Sequence, residues 1–432
     1  MNLAPKSPKI DVPFADRNLI SHFTRKRKTA LRSFRIILAI LLAASGNFYF
    51  SKRVSAADLA TTSPPGTDPD FWNWPAPPSF TNNSGVSVVL DHQNGDWHYY
   101  FSPYLNLQQP QNPVLGISQA YLGWDNGNFG FDIGRKIVDH GPGRYGYPVL
   151  GPLGTGLAAE GYDQIGYHFT WGNLRAQKFY ALVSESSYRM LIGQRATYDL
   201  GPFTLGLTED ILVDAQTPAC YYIPIPFSPI TNTSDNKIGD GDLTWRISNG
   251  FKLYGQCFID DIPLAPDQYD KWPWRCGFQG GFAWQNAFGS PALTLYSEYT
   301  RVYQYTYTHD ITAFDWTYQG DFMGDLGPDA DRLDVELDWK QSPEWQWSFV
   351  YQRIRHGEGK IGDQFIYVPG QTVVFLTGIV ETTDLLAVGL TRKQGVCDFG
   401  LILGLAYVQN QNHVAGINQF EPQVSVNTTL HL

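Results

Sequence analysis

Residues 331–340 read DRLDVELDWK. Leu333, Val335, Leu337 and Trp339 share one side of an extended chain, and Arg332, Asp334, Glu336, Asp338 and Lys340 share the other. An unbroken two-residue period of this kind is a β-strand with two chemically opposite faces. In a soluble sheet the charged face meets water, whereas in a membrane barrel the apolar face meets lipid and the charges line a wet lumen. The same alternation recurs in DWHYYFSPYLNL, PFTLGLTEDILV, PEWQWSFVYQR, VCDFGLILGLAY and the terminal QVSVNTTLHL. The connections decide between the two readings. Short turns at 125–127, 172–173, 201–202, 249–250, 289–291, 341–343 and 393–395 alternate with long connections near 137–162, 214–241, 261–272, 306–330, 356–383 and 409–420. One short connection, 185–187, stands where a long one is due. Short turns at one rim and long loops at the other are the habit of outer-membrane barrels. The expected fold is therefore all-β, a transmembrane antiparallel β-barrel of 16–18 strands with short periplasmic turns and long extracellular loops. Sixteen strands are countable from residue 97, and 86–92 offers a further one that an even count would require to have a companion.

Composition agrees. Aromatic residues make up 15% of the chain and charged residues 17%, which suits aromatic girdles. After residue 50 there is no apolar run of the about 20 residues that a membrane helix needs. A large exported sandwich or propeller would show a similar composition. At the N-terminus, RKRKTALRSFR (25–35) precedes the apolar IILAILLAAS (36–45), and VSA (54–56) offers small residues for cleavage. Residues 1–56 read as a signal peptide. They hold 11 Lys/Arg and 2 Asp/Glu, which leaves 20 basic and 39 acidic residues and a net charge of −19. Such a chain has no electrostatic affinity for nucleic acid. Cys257 and Cys276 lie on consecutive expected strands and are the candidate disulfide among Cys220, Cys257, Cys276 and Cys397, with free thiols as the alternative.

Residues 57–96 form a Pro-rich periplasmic leader or plug segment, in which Phe71, Trp72 and Trp74 are candidate anchors, and 97–432 form the barrel. No HExxH, GxSxG or P-loop is present, and the nine histidines show no metal-ligand spacing. The chain is read as a non-enzyme with no metal and no cofactor. The chemically distinctive residues gather in the long connections and the strand ends that feed them. GRKIVDHGPGRYGYP (134–148), IGQRATYDLGPFTLGLTED (192–210), FIDDIPLAPD (258–267), EYTRVYQYTYTHD (298–310) and GDLGPDADRL (324–333) combine Gly, Arg, Tyr and acids. Arg forks suit carboxylates on acidic sugars. Tyr and Trp offer flat apolar surfaces beside polar edges.

The order and spacing of these pieces resemble the Wzi-type capsule-assembly family over residues 97–432. The resemblance implies an outer-membrane lectin barrel, occluded rather than open, that binds capsular or related polysaccharide and helps attach or assemble it at the cell surface. The family's helical N-terminal bundle has no counterpart in the Pro-rich 57–84. On this reading Arg135, Arg144, Tyr145, Arg195, Glu209, Asp260, Asp261, Glu298, Arg301, Tyr305, His309, Asp329 and Asp331 shape the mouth and upper lumen and bind glycan. The expected partners are cell-surface polysaccharide, outer-membrane lipid and the barrel-assembly machinery during biogenesis. A diffusion porin for sugars or other small solutes accounts for a polar lumen equally well.

Overall fold

The computed structural model describes residues 84–107, 113–138, 140–154, 159–184, 189–213, 221, 235–248, 250–261, 273–309, 314–366 and 374–432. Residues 1–56, read from the sequence as a signal peptide, residues 57–83 and Cys220 lie outside the described residues. The wall begins with β1 (Gly85–Asn94), β2 (Trp97–Asn106), β3 (Val114–Asp125), β4 (Phe129–Lys136), β5 (Tyr162–Trp171) and β6 (Leu174–Ser184). It continues through β7 (Arg189–Leu200), β8 (Phe203–Val213), β9 (Asn236–Ser248), β10 (Phe251–Asp261), β11 (Arg275–Gln285) and β12 (Leu293–Val302). A small separate hairpin follows, β13 (Thr317–Tyr318) with β14 (Asp321–Phe322). The wall resumes with β15 (Ala330–Lys340), β16 (Trp345–His356), β17 (Glu381–Gln394), β18 (Cys397–Gln409) and β19 (Gln419–His431).

These elements make one 17-stranded sheet. Wall strands adjacent in sequence pair antiparallel, β12 bridging to β15, and β19 returns to β1 in a parallel ladder from Gly85↔Asn427 to Val89↔His431. Among the described residues, 86–92 has no companion strand of the kind an even count would require. With strict up-and-down alternation, the first and last of an odd number of strands run the same way, so they must close the ring in parallel. Every ladder then has a neighbour on both sides, as hydrocarbon demands of backbone polar groups.

DRLDVELDWK becomes β15. Asp334, Glu336 and Asp338 are buried, whereas Leu333, Val335 and Leu337 are half-exposed and Trp339 exposed. The charges point inward and the apolar side faces out. The outer wall repeats this arrangement with exposed Leu401, Leu403 and Leu405 on β18 and Val424 and Val426 on β19. At the short-turn rim, outward aromatics pack on one another across strands and on the turns. Phe203 lies 5.6 Å from Trp245, Trp124 6.0 Å from Phe131 and Trp284 5.1 Å from Phe288. Tyr407 and Phe420, 4.8 Å apart, sit toward the long-loop rim. Such belts mark the two membrane interfaces.

The outward reading of β18 makes a quantitative prediction. Leu403→Arg should destabilise the folded barrel by about 2–4 kcal/mol, the cost of a cation near the bilayer midplane, measured by equilibrium unfolding in vesicles. An unchanged stability would place this face in water.

Candidate functional site

The connection between β4 and β5 (137–161) runs back into the barrel. His140 and Leu150 form an isolated bridge, as do Leu153 and Glu160. Val138, Val149, Leu150 and Leu153 pack with Tyr307, Phe314, Trp316, Met323 and Leu326 of the 303–329 connection. This core docks on inward apolar residues of the upper wall, among them Phe179, Leu191, Leu212, Ile238 and Phe258. Three hydrogen bonds join the two connections. Trp316 Nε1 donates to the Val149 carbonyl (2.7 Å), Tyr307 Oη to the Pro148 carbonyl (2.6 Å) and the Gly151 N–H to the Met323 carbonyl (2.9 Å).

The tip of this plug, GPGRYG, meets the carboxylates of the wall. Glu298 on β12 accepts the backbone N–H of Arg144 (2.7 Å) and of Tyr145 (3.2 Å). It also accepts Tyr254 Oη (2.7 Å) and the Gln279 amide (3.1 Å). The Arg144 guanidinium lies 3.0 Å from Glu336 and 3.8 Å from Asp338, with its plane 3.9 Å above the Tyr296 ring. Tyr145 Oη donates to Glu336. Burial opposes the Arg144 charge, but Glu336 and the surrounding phenols outweigh it and hold the guanidinium protonated beyond its ordinary range. Arg332 completes the cluster, 2.6 Å from Asp325 and 2.8 Å from Asp334. Two glycines allow the approach. A Cβ on Gly143 would collide with the Gln279 amide, and one on Gly146 with Arg332.

The remaining expected residues fall into separate places. Arg195 bridges Thr208 (2.7 Å) and Asp242 (2.6 Å) on the lumenal wall. Asp260 accepts the Tyr307 N–H at 2.8 Å and so anchors the 303–329 connection. Asp329 is buried with φ 55° and accepts N–H groups from Gly359 (3.2 Å), Leu376 (3.0 Å) and Thr377 (3.0 Å). It therefore clips the β16–β17 connection in place, using a left-handed conformation that Asp tolerates better than most residues. Four residues expected at the mouth and upper lumen point outward instead, because strand parity puts them on the outer face. Arg135 pairs with Glu160 (2.7 Å) and Asp163 (2.8 Å), and Glu209 accepts from Gln194. Asp331 holds Arg355 and Tyr299 Oη (2.9 Å). The fourth, Arg301, lies 3.6 Å above the Phe375 ring and 4.7 Å above Tyr303. Beside this last group, Tyr305 packs edge-on against Phe365 at 5.3 Å, and His309 against Phe314 at 5.6 Å. The Asp261 side chain lies outside the described residues.

Two functional groups thus emerge. One is a buried latch, in which Arg144 and Tyr145 pair with Glu298, Glu336 and Asp338. The other is an aromatic and Arg group at the long-loop rim, in which Arg301, Tyr303, Phe365 and Phe375 are half-exposed and Tyr305 is buried. The sequence reading picked out Arg144, Tyr145 and Glu298 but missed Tyr254, Gln279, Tyr296 and Arg332, which are ordinary lumen residues until the plug arrives. It missed Phe365 and Phe375 because the β16–β17 connection that carries them was not among the stretches it singled out. The disulfide is corrected. Cys257 pairs with Phe278 and Cys276 with Ile259, two positions apart on the ladder, and both are free thiols. Diagonal neighbours stand too far apart for the short Cβ separation of a disulfide.

No family model matches the chain. Over 78% of its length it superimposes on 75% of Wzi from Escherichia coli, an outer-membrane protein involved in group 1 capsule assembly and described as a carbohydrate-binding β-barrel, with TM-score 0.55 and 15% identity. OccD3 (OpdP) of Pseudomonas aeruginosa aligns over 77% of this chain and 81% of its own, with TM-score 0.44 and 12% identity. A sequence likeness to FK506-binding protein 1B of Emericella nidulans, 27% over 90 residues, covers 17% of this chain and 75% of that protein. At 15% identity the likeness to Wzi shows the outer-membrane barrel fold and nothing finer.

Arg144→Ala should cost about 3–5 kcal/mol, as removal of one partner from a buried ion pair does. Residues 137–161 should become protease-sensitive in the folded barrel, and ion conductance should appear in planar bilayers. Glu336→Gln in the same chain should recover part of the protection. A second measurement concerns the thiols, since Cys257 and Cys276 should both alkylate in denaturant without prior reduction.

Proposed function

We propose that this chain is an outer-membrane barrel that binds capsular or related surface polysaccharide at its loop-built outer end and helps hold it at the cell surface. The observation that carries the reading is the latch. A lumen entered by the chain's own loop, with Arg144 and Tyr145 paired to wall carboxylates inside, suits a binding platform better than a diffusion path. The Wzi-like fold supports the same reading. The role is one of binding, without catalysis or cofactor, and the partners are surface polysaccharide, bilayer lipid and, during biogenesis, the assembly machinery.

The binding residues of this proposal are Arg301, Tyr303, Phe365 and Phe375, with buried Tyr305 packed against Phe365 and His309 further along the same connection. Tyr and Phe rings offer flat apolar faces to sugar rings, and the Arg301 guanidinium supplies a fork for a uronate carboxylate. The mature chain carries a net charge of −19, so long-range electrostatics oppose an acidic polymer. Affinity for such a polymer must then come from short-range contacts at this group. Arg144, Tyr145, Glu298 and Arg195 serve the proposal indirectly, by keeping the lumen closed and the loops in place.

The test is retention of the host's purified surface polysaccharide by the refolded protein in liposomes, against empty liposomes. Arg301→Ala combined with Tyr303→Ala should weaken retention by about tenfold or more, the scale at which Arg and aromatic contacts matter in interfaces. The intact protein should be silent in planar bilayers. No retention at high polysaccharide, together with steady conductance blocked by an oligosaccharide, would favour the porin instead.

A further inference from the structure

On β16 Phe349 is exposed and Val350 buried, so Phe349, Tyr351, Arg353 and Arg355 share the lipid-facing side of that strand. The two arginine side chains are 47% and 40% exposed. Asp331 on β15 accepts Arg355 Nε at 2.9 Å and a second N–H of the same fork. Arg353 stands 3.9 Å from Asp384 on β17, a carboxylate that already accepts Tyr351 Oη at 2.8 Å. Arg301 lies one strand beyond Asp331 on the same row. The upper outer face of β12–β17 therefore bears three arginines against these two aspartates, in a mature chain whose net charge is −19. Arg135, on the outer face of β4, is by contrast matched by two acids, Glu160 and Asp163.

Directly below these arginines the face turns apolar and concave. Register places Tyr351 between Val335 and Leu386, and Phe349 between Leu337 and Val388. A shallow groove of about 530 Å³ runs among these side chains and on to β18. The outward apolar stretch of β16 extends only from Trp345 to Tyr351, whereas a tilted strand needs about 9–11 residues to cross hydrocarbon. Arg353 and Arg355 are thus held at the edge of the hydrocarbon, where an unmatched cation is costly. The anion available at that depth is the lipid's own headgroup, and a guanidinium fork matches phosphate geometry. We propose that this face is a binding site for a lipid that bears a phosphate monoester. Arg353 and Arg355 hold the headgroup, and the acyl chains lie in the groove beneath. The inference is independent of the glycan reading, which uses neither arginine.

The test is native mass spectrometry of the full chain, folded in a nonionic detergent and titrated with dimyristoylphosphatidic acid. One lipid should stay bound per chain, about tenfold more tightly than dimyristoylphosphatidylcholine, which has the same tails and no net charge. Glycerol 3-phosphate, a phosphate monoester without tails, should not displace it. Arg353→Gln should weaken retention by about tenfold, the scale of a hydrogen bond to a charged group, and Arg353→Lys should restore part of it. Arg392→Gln serves as the control, since Arg392 is an outward arginine of β17 at the opposite rim, over the Trp345 ring. It should leave retention unchanged. Equal retention of the two lipids, displacement by glycerol 3-phosphate, or the same result for Arg353→Gln and Arg392→Gln would each overturn the proposal.

Discussion

A backbone that crosses hydrocarbon has no water to satisfy its N–H and C=O groups, so each strand must find a partner on both sides. The whole molecule answers to that constraint. It makes the sheet close and turns the usual hydrophobic pattern inside out. With seventeen strands it forces β1 and β19 together in parallel. The aromatic belts and the sorting of connections by length follow from where the closed wall meets the two interfaces.

Closure creates a second problem, an interior lined with carboxylates. Glu298, Asp334, Glu336 and Asp338 are all buried, and uncompensated charges in such a place are costly. The plug resolves it with Arg144 from the β4–β5 connection, two backbone N–H groups and the Tyr145 hydroxyl, while Arg332 answers Asp325 and Asp334. The latch is charge-assisted on nearly every contact, which strengthens and orients it. It also links strands β10, β11, β12 and β15 to one tip of one loop. The plug's tip is thus the electrostatic complement of the lumen wall.

Particular residues show how far the candidate site was legible. The acids of DRLDVELDWK were assignable to the lumen because strand parity and the loop pattern sufficed. Arg144 stood out in HGPGRYG because two glycines beside an Arg and a Tyr signal close approach to something. What it approaches lies 154 and 192 residues away in Glu298 and Glu336, a distance no local pattern bridges. Arg135, Glu209, Arg301 and Asp331 were grouped with the lumen by their neighbours in sequence. A shift of one position along a strand moves a side chain to the opposite face, and these four lie on the outer one. The cysteine pairing failed for the same kind of reason, since consecutive strands do not specify a register to within two residues.

Local periodicity by itself determined that this chain is a barrel, which faces of its strands meet lipid, and which rim carries the long loops. Each of these follows from the two-residue repeat and the lengths between repeats, which are properties of neighbouring residues. Only the tertiary structure decided that the ring closes on an odd number, that the β4–β5 loop folds inward instead of standing in solvent, and which Arg meets which carboxylate. Those outcomes depend on register and on the meeting of segments far apart in the chain, where a side chain's energy is set by what packs against it and not by its place in the sequence.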